Sequence, residues 1–175
     1  DTPMKKLFEQ RSRAFSAGRA SIGVRRGDRL VVWMTNTVEW VVATFGAMRI
    51  GAAVVPVNTF LKPPEIKYFM EQSGARHLVM IDGFRKLSMP DILEELCPGV
   101  QACATPGEFF SPDLPDMRNL VLFSRSGGKL SSAYDFIALS SPDESSLALA
   151  DRMEAAVRGS DLGMVKYTSG STAFP

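Results

Sequence analysis

Apolar residues along the chain fall into two kinds of run, one spaced like a helix and one unbroken. Residues 4–22 place Met4, Leu7, Phe8, Ala14 and Phe15 on one side and Lys5, Arg11, Arg13 and Arg19 elsewhere, the spacing of an amphipathic helix. Gly23 follows, and Gly27-Asp28 marks a turn before the apolar run at 30–34. A run without alternation suits a strand buried on both faces of a parallel sheet. Asn36, three residues before Glu39, predicts a capping box, and Val38, Val41, Val42, Phe45 and Met48 keep helical spacing until Gly51 stops it. Residues 52–57 are a second unbroken run. Strand, helix and strand in that order predict a parallel pair with a right-handed crossover.

The pattern then recurs. Pro63-Pro64 opens a helix with Ile66, Phe69 and Met70 on its inner face, Gly74 closes it, and 77–81 reads as a third strand. Beyond Asp82 the periodicity thins. Ile92, Leu93 and Leu96 predict a helix, 119–123 a strand and 132–139 a short helix. Residues 98–116 carry Pro98, Gly99, Pro106, Gly107, Pro112 and Pro115 and read as irregular. A helix over 144–158 leads through Gly159 and Ser160 into a last short strand at Met164 and Val165. The fold class is α/β, a mostly parallel sheet flanked by helices.

That last strand enters the chain's densest polar cluster: Thr168, Ser169, Gly170, Ser171 and Thr172. Hydroxyls and backbone N–H groups so close together, with a glycine to let the backbone approach, suit a cradle for phosphate oxygens; a polar chain end explains the same residues. The Walker form needs Gly-Lys-Ser/Thr, and Gly170 is followed by Ser171; the dinucleotide form needs GxGxxG, and Gly46 and Gly51 lack the third member.

Composition narrows the alternatives. With 175 residues, 45% apolar and 22% charged, the chain supports one core and no disordered class. A net charge of +1 without Lys/Arg runs gives no reason to expect nucleic acid. No apolar stretch is long enough to span a bilayer, and the first residues show no signal peptide. Cys97 and Cys103 have no metal spacing and read as free thiols in a reducing cytoplasm. A hydrolase triad is not expected, since G-x-S-x-G is absent and His77 is the one histidine. His77 and Asp82 match an acyltransferase H-x4-D, but an odd offset along a strand turns them to opposite faces; His77 is expected at a strand end or the surface. Trp33 and Trp40 read as packing residues, Asp91, Glu94 and Glu95 as solvated charge, and Arg25, Arg26 and Arg29 as a solvated turn rather than an anion site. No catalytic residue and no metal ligand is assigned.

MVKYTSGSTAFP resembles the signature of the adenylate-forming superfamily, which includes acyl-CoA synthetases, luciferases and the adenylation domains of peptide synthetases. Tyr167, Thr168, Ser169, Gly170, Ser171, Thr172 and Pro175 match; Ala173 departs from the usual Gly, and the family's Lys would come next. Glu39-Trp40 and MRIGAAVVPVNTFLKPPEIKYFMEQSGARHLVM are similar to the family's earlier segment, and Asn58 after Pro56 tilts the likeness toward acyl-CoA ligases. The resemblance implies ATP, Mg²⁺ and CoA, a carboxylic acid substrate (expected to be a fatty acid), and Thr168, Ser169, Gly170, Ser171 and Thr172 as the phosphate loop. It also implies that residues 1–175 are one incomplete N-terminal domain (1–82 the first βαβαβ part, 83–143 a connecting part, 144–175 helix, strand and loop), inactive alone. Two other readings stand beside it: loading of a carrier protein, and a non-catalytic module that self-associates through exposed apolar surface.

Overall fold

The computed structural model describes residues 2–167. In chain order it contains α1 (Pro3–Ser21), β1 (Arg29–Trp33), α2 (Val38–Arg49), β2 (Ala53–Pro56), α3 (Pro63–Ser73), β3 (His77–Ile81), β4 (Gly83–Phe84), β5 (Leu87–Ser88), α4 (Met89–Leu96), β6 (Asn119–Phe123), β7 (Ala133–Asp135), α5 (Phe136–Leu139) and α6 (Glu144–Ala155). Five strands form one sheet in the order β2-β1-β3-β6-β7, every neighbouring pair parallel. β4 and β5 make a separate antiparallel hairpin.

The unbroken apolar runs became β1, β2 and β3, buried as a sheet covered on both faces requires. Leu30, Val31, Val32 and Trp33 are fully buried, as are Leu78, Val79, Met80 and Ile81. The helices divide into two layers. α1 packs on α2, α5 and α6, whereas α3 packs on α4. Because β1 leads to β2 in one direction across the sheet and β2 leads back over β1 to β3 in the other, right-handed crossovers put α2 and α3 on opposite faces.

Two local expectations are corrected. The cap of α2 is Thr37, whose side chain accepts from Trp40 N at 3.2 Å, not an Asn36–Glu39 box; Glu39 is taken by Arg11 at 2.9 Å. Residues 132–139 are not one helix. Ala133–Asp135 pairs with β6, and the Asp135 side chain accepts from Ala138 N at 2.7 Å, so the helix can begin only at Phe136. α3 has its inner face as expected, with Ile66, Phe69 and Met70 buried, and Gly74 takes the left-handed conformation that ends it. Residues 98–116 hold no helix or strand; the Glu94 carboxylate pins their start by accepting from Gly99 N and Gln101 N.

His77 is at a strand end, as the first residue of β3, but it is not at the surface. It is 2% exposed, with Nε2 3.1 Å from Asp28 Oδ2 and Nδ1 3.3 Å from Asn119 Nδ2. The Asn119 amide also donates to Ile22 O, just past α1. This pattern assigns the proton to Nε2 and leaves the ring neutral. Burial pushes the imidazole below the ordinary histidine value, helped by the charges of Arg19 and Arg76 and opposed by Asp28. The unfolded chain therefore binds the proton first. Stability is full above about pH 6.5 and falls as pH drops from there toward the lower folded value. With a single histidine in the chain, His77→Gln is expected to flatten the dependence of the melting temperature on pH just below the ordinary histidine value of about 6.5. An unchanged slope would mean the buried ring does not resist protonation.

Asp82, the other half of the H-x4-D match, sits at the opposite end of β3. Its carboxylate accepts from Arg125 N, Ser126 N, Gly128 N and the Ser124 hydroxyl. Burial alone would raise this carboxyl, but those four donors hold it below the usual range. The pair does not meet, and Asp82 serves to shape the turn after β6.

Candidate functional site

Parallel strands bring all their C-terminal ends to one edge, and ligands of such sheets gather where the connections diverge. Here that edge opens into a cavity of about 830 Å³. Met34 and Thr35 line it because they follow β1, and Val57–Thr59 because they follow β2. Trp40 enters from the first turn of α2 and Phe69 from α3. Phe60 and Phe84 stand at its rim, edge to face with centroids 5.3 Å apart. Asn58 shapes the rim, since its side-chain oxygen accepts from Phe60 N at 2.9 Å and its carbonyl from Leu61 N.

The end of the described chain is led to this cavity by three attachments. Arg26 forms a two-armed ion pair with Asp161, which also accepts from Arg158 N. Met164 then makes a parallel bridge with Val54 on the outer edge of β2, held by Val54 N to Gly163 O at 2.9 Å and Val165 N to Val54 O at 2.8 Å. Lastly, the Tyr167 ring stacks on Phe69 with centroids 4.7 Å apart at 28°. The predicted last strand is thus a single bridge among the described residues. Thr168, Ser169, Gly170, Ser171 and Thr172 lie outside the described residues, but the residue before them is a wall of the cavity.

Other candidates resolve differently. Arg26 is paired and Arg25 donates to the carbonyls of Ala20 and Val24, so this turn is tied into the fold rather than simply solvated. Trp33 is core, as expected; Trp40 is half-buried and lines the cavity, a role its helical spacing did not suggest. Its place just beyond a strand's C-terminal end was the available signal. Cys97 and Cys103 are free thiols, Cys97 buried and its thiol pushed up by burial. Among the described residues no group of His, Cys, Asp and Glu could hold a metal ion, and the cavity's Glu65 already accepts from Lys62 N at 2.8 Å. No step is assigned to magnesium on these residues.

The model of the AMP-binding enzyme family matches residues 6–175. The chain belongs to that family. Among curated relatives, YngI of Bacillus subtilis, provisionally named an acyl-CoA synthetase, is 32% identical over 170 residues, which are 96% of this chain and 30% of YngI. The mitochondrial medium-chain acyl-CoA ligase ACSF2 of Mus musculus is 30% identical over 161 residues, 91% of this chain and 26% of the relative. The chain therefore spans about a third or less of the length of these relatives. Two solved structures share the fold. An acyl-CoA synthetase of Brucella canis superposes with a TM-score of 0.62 at 23% identity over 93% of this chain and 26% of that one. A fatty acyl CoA synthetase of Mycobacterium tuberculosis gives 0.60 at 22% identity over 94% and 26%. Among the described residues of this family member, no helix is long and apolar enough to cross a membrane.

Proposed function

We propose that this chain is part of an ATP-dependent acyl-CoA ligase, and that Thr168, Ser169, Gly170, Ser171 and Thr172 hold the phosphates of ATP. The observation that carries the reading is Tyr167 seated on Phe69 at the C-terminal crevice of the sheet, so that the residue just before Thr168 stands at the edge where parallel sheets bind ligands. Membership of the AMP-binding family and relatives named as acyl-CoA ligases support the chemistry. A substrate carboxylate oxygen attacks the α-phosphorus of ATP; the bond to the bridging oxygen breaks and pyrophosphate leaves, giving an acyl-adenylate. CoA thiolate then attacks the acyl carbon and AMP departs, leaving a thioester. Hydroxyl and N–H donors of the loop would stabilise the charge that gathers on the leaving pyrophosphate. The acid is proposed to be a fatty acid, since one relative is named a medium-chain acyl-CoA ligase, and the enzyme to work in the cytoplasm. Residues 1–175 would form one incomplete domain, with the acyl pocket and the CoA-transfer machinery supplied elsewhere in the whole protein.

The test is ATP-dependent acyl-hydroxamate formation over short, medium, long and aromatic acids, with the whole protein beside residues 1–175 alone. Product is expected from the whole protein only. No product with any acid would overturn the ligase reading. It would favour an interaction module, whose face would centre on Leu7 and Phe45, each about half exposed.

A further inference from the structure

We propose that Phe69 is a positioning residue for the phosphate-holding loop, setting the direction in which the chain enters 168–172 through the stack of its ring on Tyr167. The inference rests on the function proposed above. Two points fix the approach to the loop. The first is the backbone bridge at Met164, whose last hydrogen bond to the sheet, among the described residues, is made by Val165 N. The second is the Tyr167 ring, the final described side chain. A single bridge leaves the following residues free to pivot about the edge of β2; a second contact, made one residue before the loop, removes that freedom.

Phe69 is suited to be the fixed partner. It is 8% exposed and flanked on α3 by Ile66 and Met70, which are 0% and 1% exposed, so its ring is held by the core. α3 is itself clamped, by Glu65 on Lys62 N at its start and by Gly74 in the left-handed conformation at its end. The buried face of α3 thus does two kinds of work. Ile66 and Met70 pack inward, while Phe69 shows its ring to the cavity and to Tyr167. A segment that must be ordered before it can meet a nucleotide phosphate binds more weakly, so an anchor one residue before it acts on nucleotide affinity rather than on the acyl side.

The experiment separates this from packing. In the whole protein, Phe69→Leu keeps apolar volume and removes the stack, while Phe69→Tyr keeps the ring. Phe69→Leu is expected to raise the KM for ATP about threefold to tenfold, the worth of one aromatic pair, with the KM for the acid unchanged. Phe69→Tyr should restore it. Tyr167→Leu should match Phe69→Leu, and the double variant should be no worse than either, since both remove one contact. An unchanged KM for ATP in Phe69→Leu, equal rises for ATP and acid, or additive losses in the double variant would each overturn the proposal. Thr172→Ala, run alongside, keeps the two readings apart. If it abolishes ATP-dependent activation while Phe69→Leu has no effect, only the positioning role fails; if it has no effect, the phosphate loop itself is wrong.

Discussion

Thr172→Ala in the whole protein is expected to lower ATP-dependent acyl activation about a hundredfold, the usual cost of deleting one preorganised donor to developing charge. The physical case is the density of donors in one short segment. Thr168, Ser169, Ser171 and Thr172 carry four hydroxyls around Gly170, and the residue before them is fixed at the ligand-binding edge of a parallel sheet. In the proposed reaction charge moves onto pyrophosphate as the acyl-adenylate forms, so a hydroxyl that meets it would act in the transition state and its loss should appear mainly in kcat. The melting temperature should not move, because among the described residues the buried core cluster is already built between Phe15 and Ala150. Pyrophosphate release in single turnovers, read beside thermal melts, checks both halves. A rate within twofold of the parent would remove Thr172 from the chemistry.

The second large effect is on the fold. Gly18→Ala is expected to destabilise the protein by about 3 kcal/mol, at the upper end for overpacking. A Cβ placed on Gly18 would lie 1.9 Å from Leu139 O and 2.7 Å from Leu139 C, both backbone atoms that no rotamer change can clear. Leu139 closes α5, and α5 is pinned by Phe136, which is 1% exposed and stacked on Phe15 with centroids 4.3 Å apart. Relief would need α1 and α5 to separate and lose that stack. Gly159 is the internal control, since a Cβ there meets nothing within 4 Å and Gly159→Ala should shift stability by less than about 0.5 kcal/mol. Chemical denaturation of the three proteins decides it. Equal midpoints for all three would mean that α1 and α5 do not approach this closely.

Much of the local architecture was legible from residue order. The runs at 30–34, 52–57 and 77–81, separated by a helical spacing and stopped by Gly51 and Gly74, could hardly be anything but buried parallel strands with crossover helices. The failures were local competitions between hydrogen-bond partners. Asn36 and Glu39 have the spacing of a capping box, yet Thr37 caps the helix and Arg11, far away in sequence, takes the glutamate. Ala133 and Tyr134 carry no strand signal of their own; β6 recruits them by offering an edge. His77 looked peripheral because nothing near it in sequence could pair with it; Asp28 and Asn119 do so only across strands.

The candidate site divides along the same line. Sequence by itself determined the family motif, the hydroxyl-rich loop and the parallel α/β class, because donor density and apolar periodicity are properties of neighbouring residues. Only the tertiary structure decided that β1 lies between β2 and β3, that Trp40, Phe60 and Phe69 share one cavity, and that Tyr167 reaches Phe69. Those contacts join residues that local pattern cannot relate. They form when the sheet stacks its strands in one register, so that the C-terminal ends of β1 and β2, with the first turns of the helices behind them, arrive at a common edge.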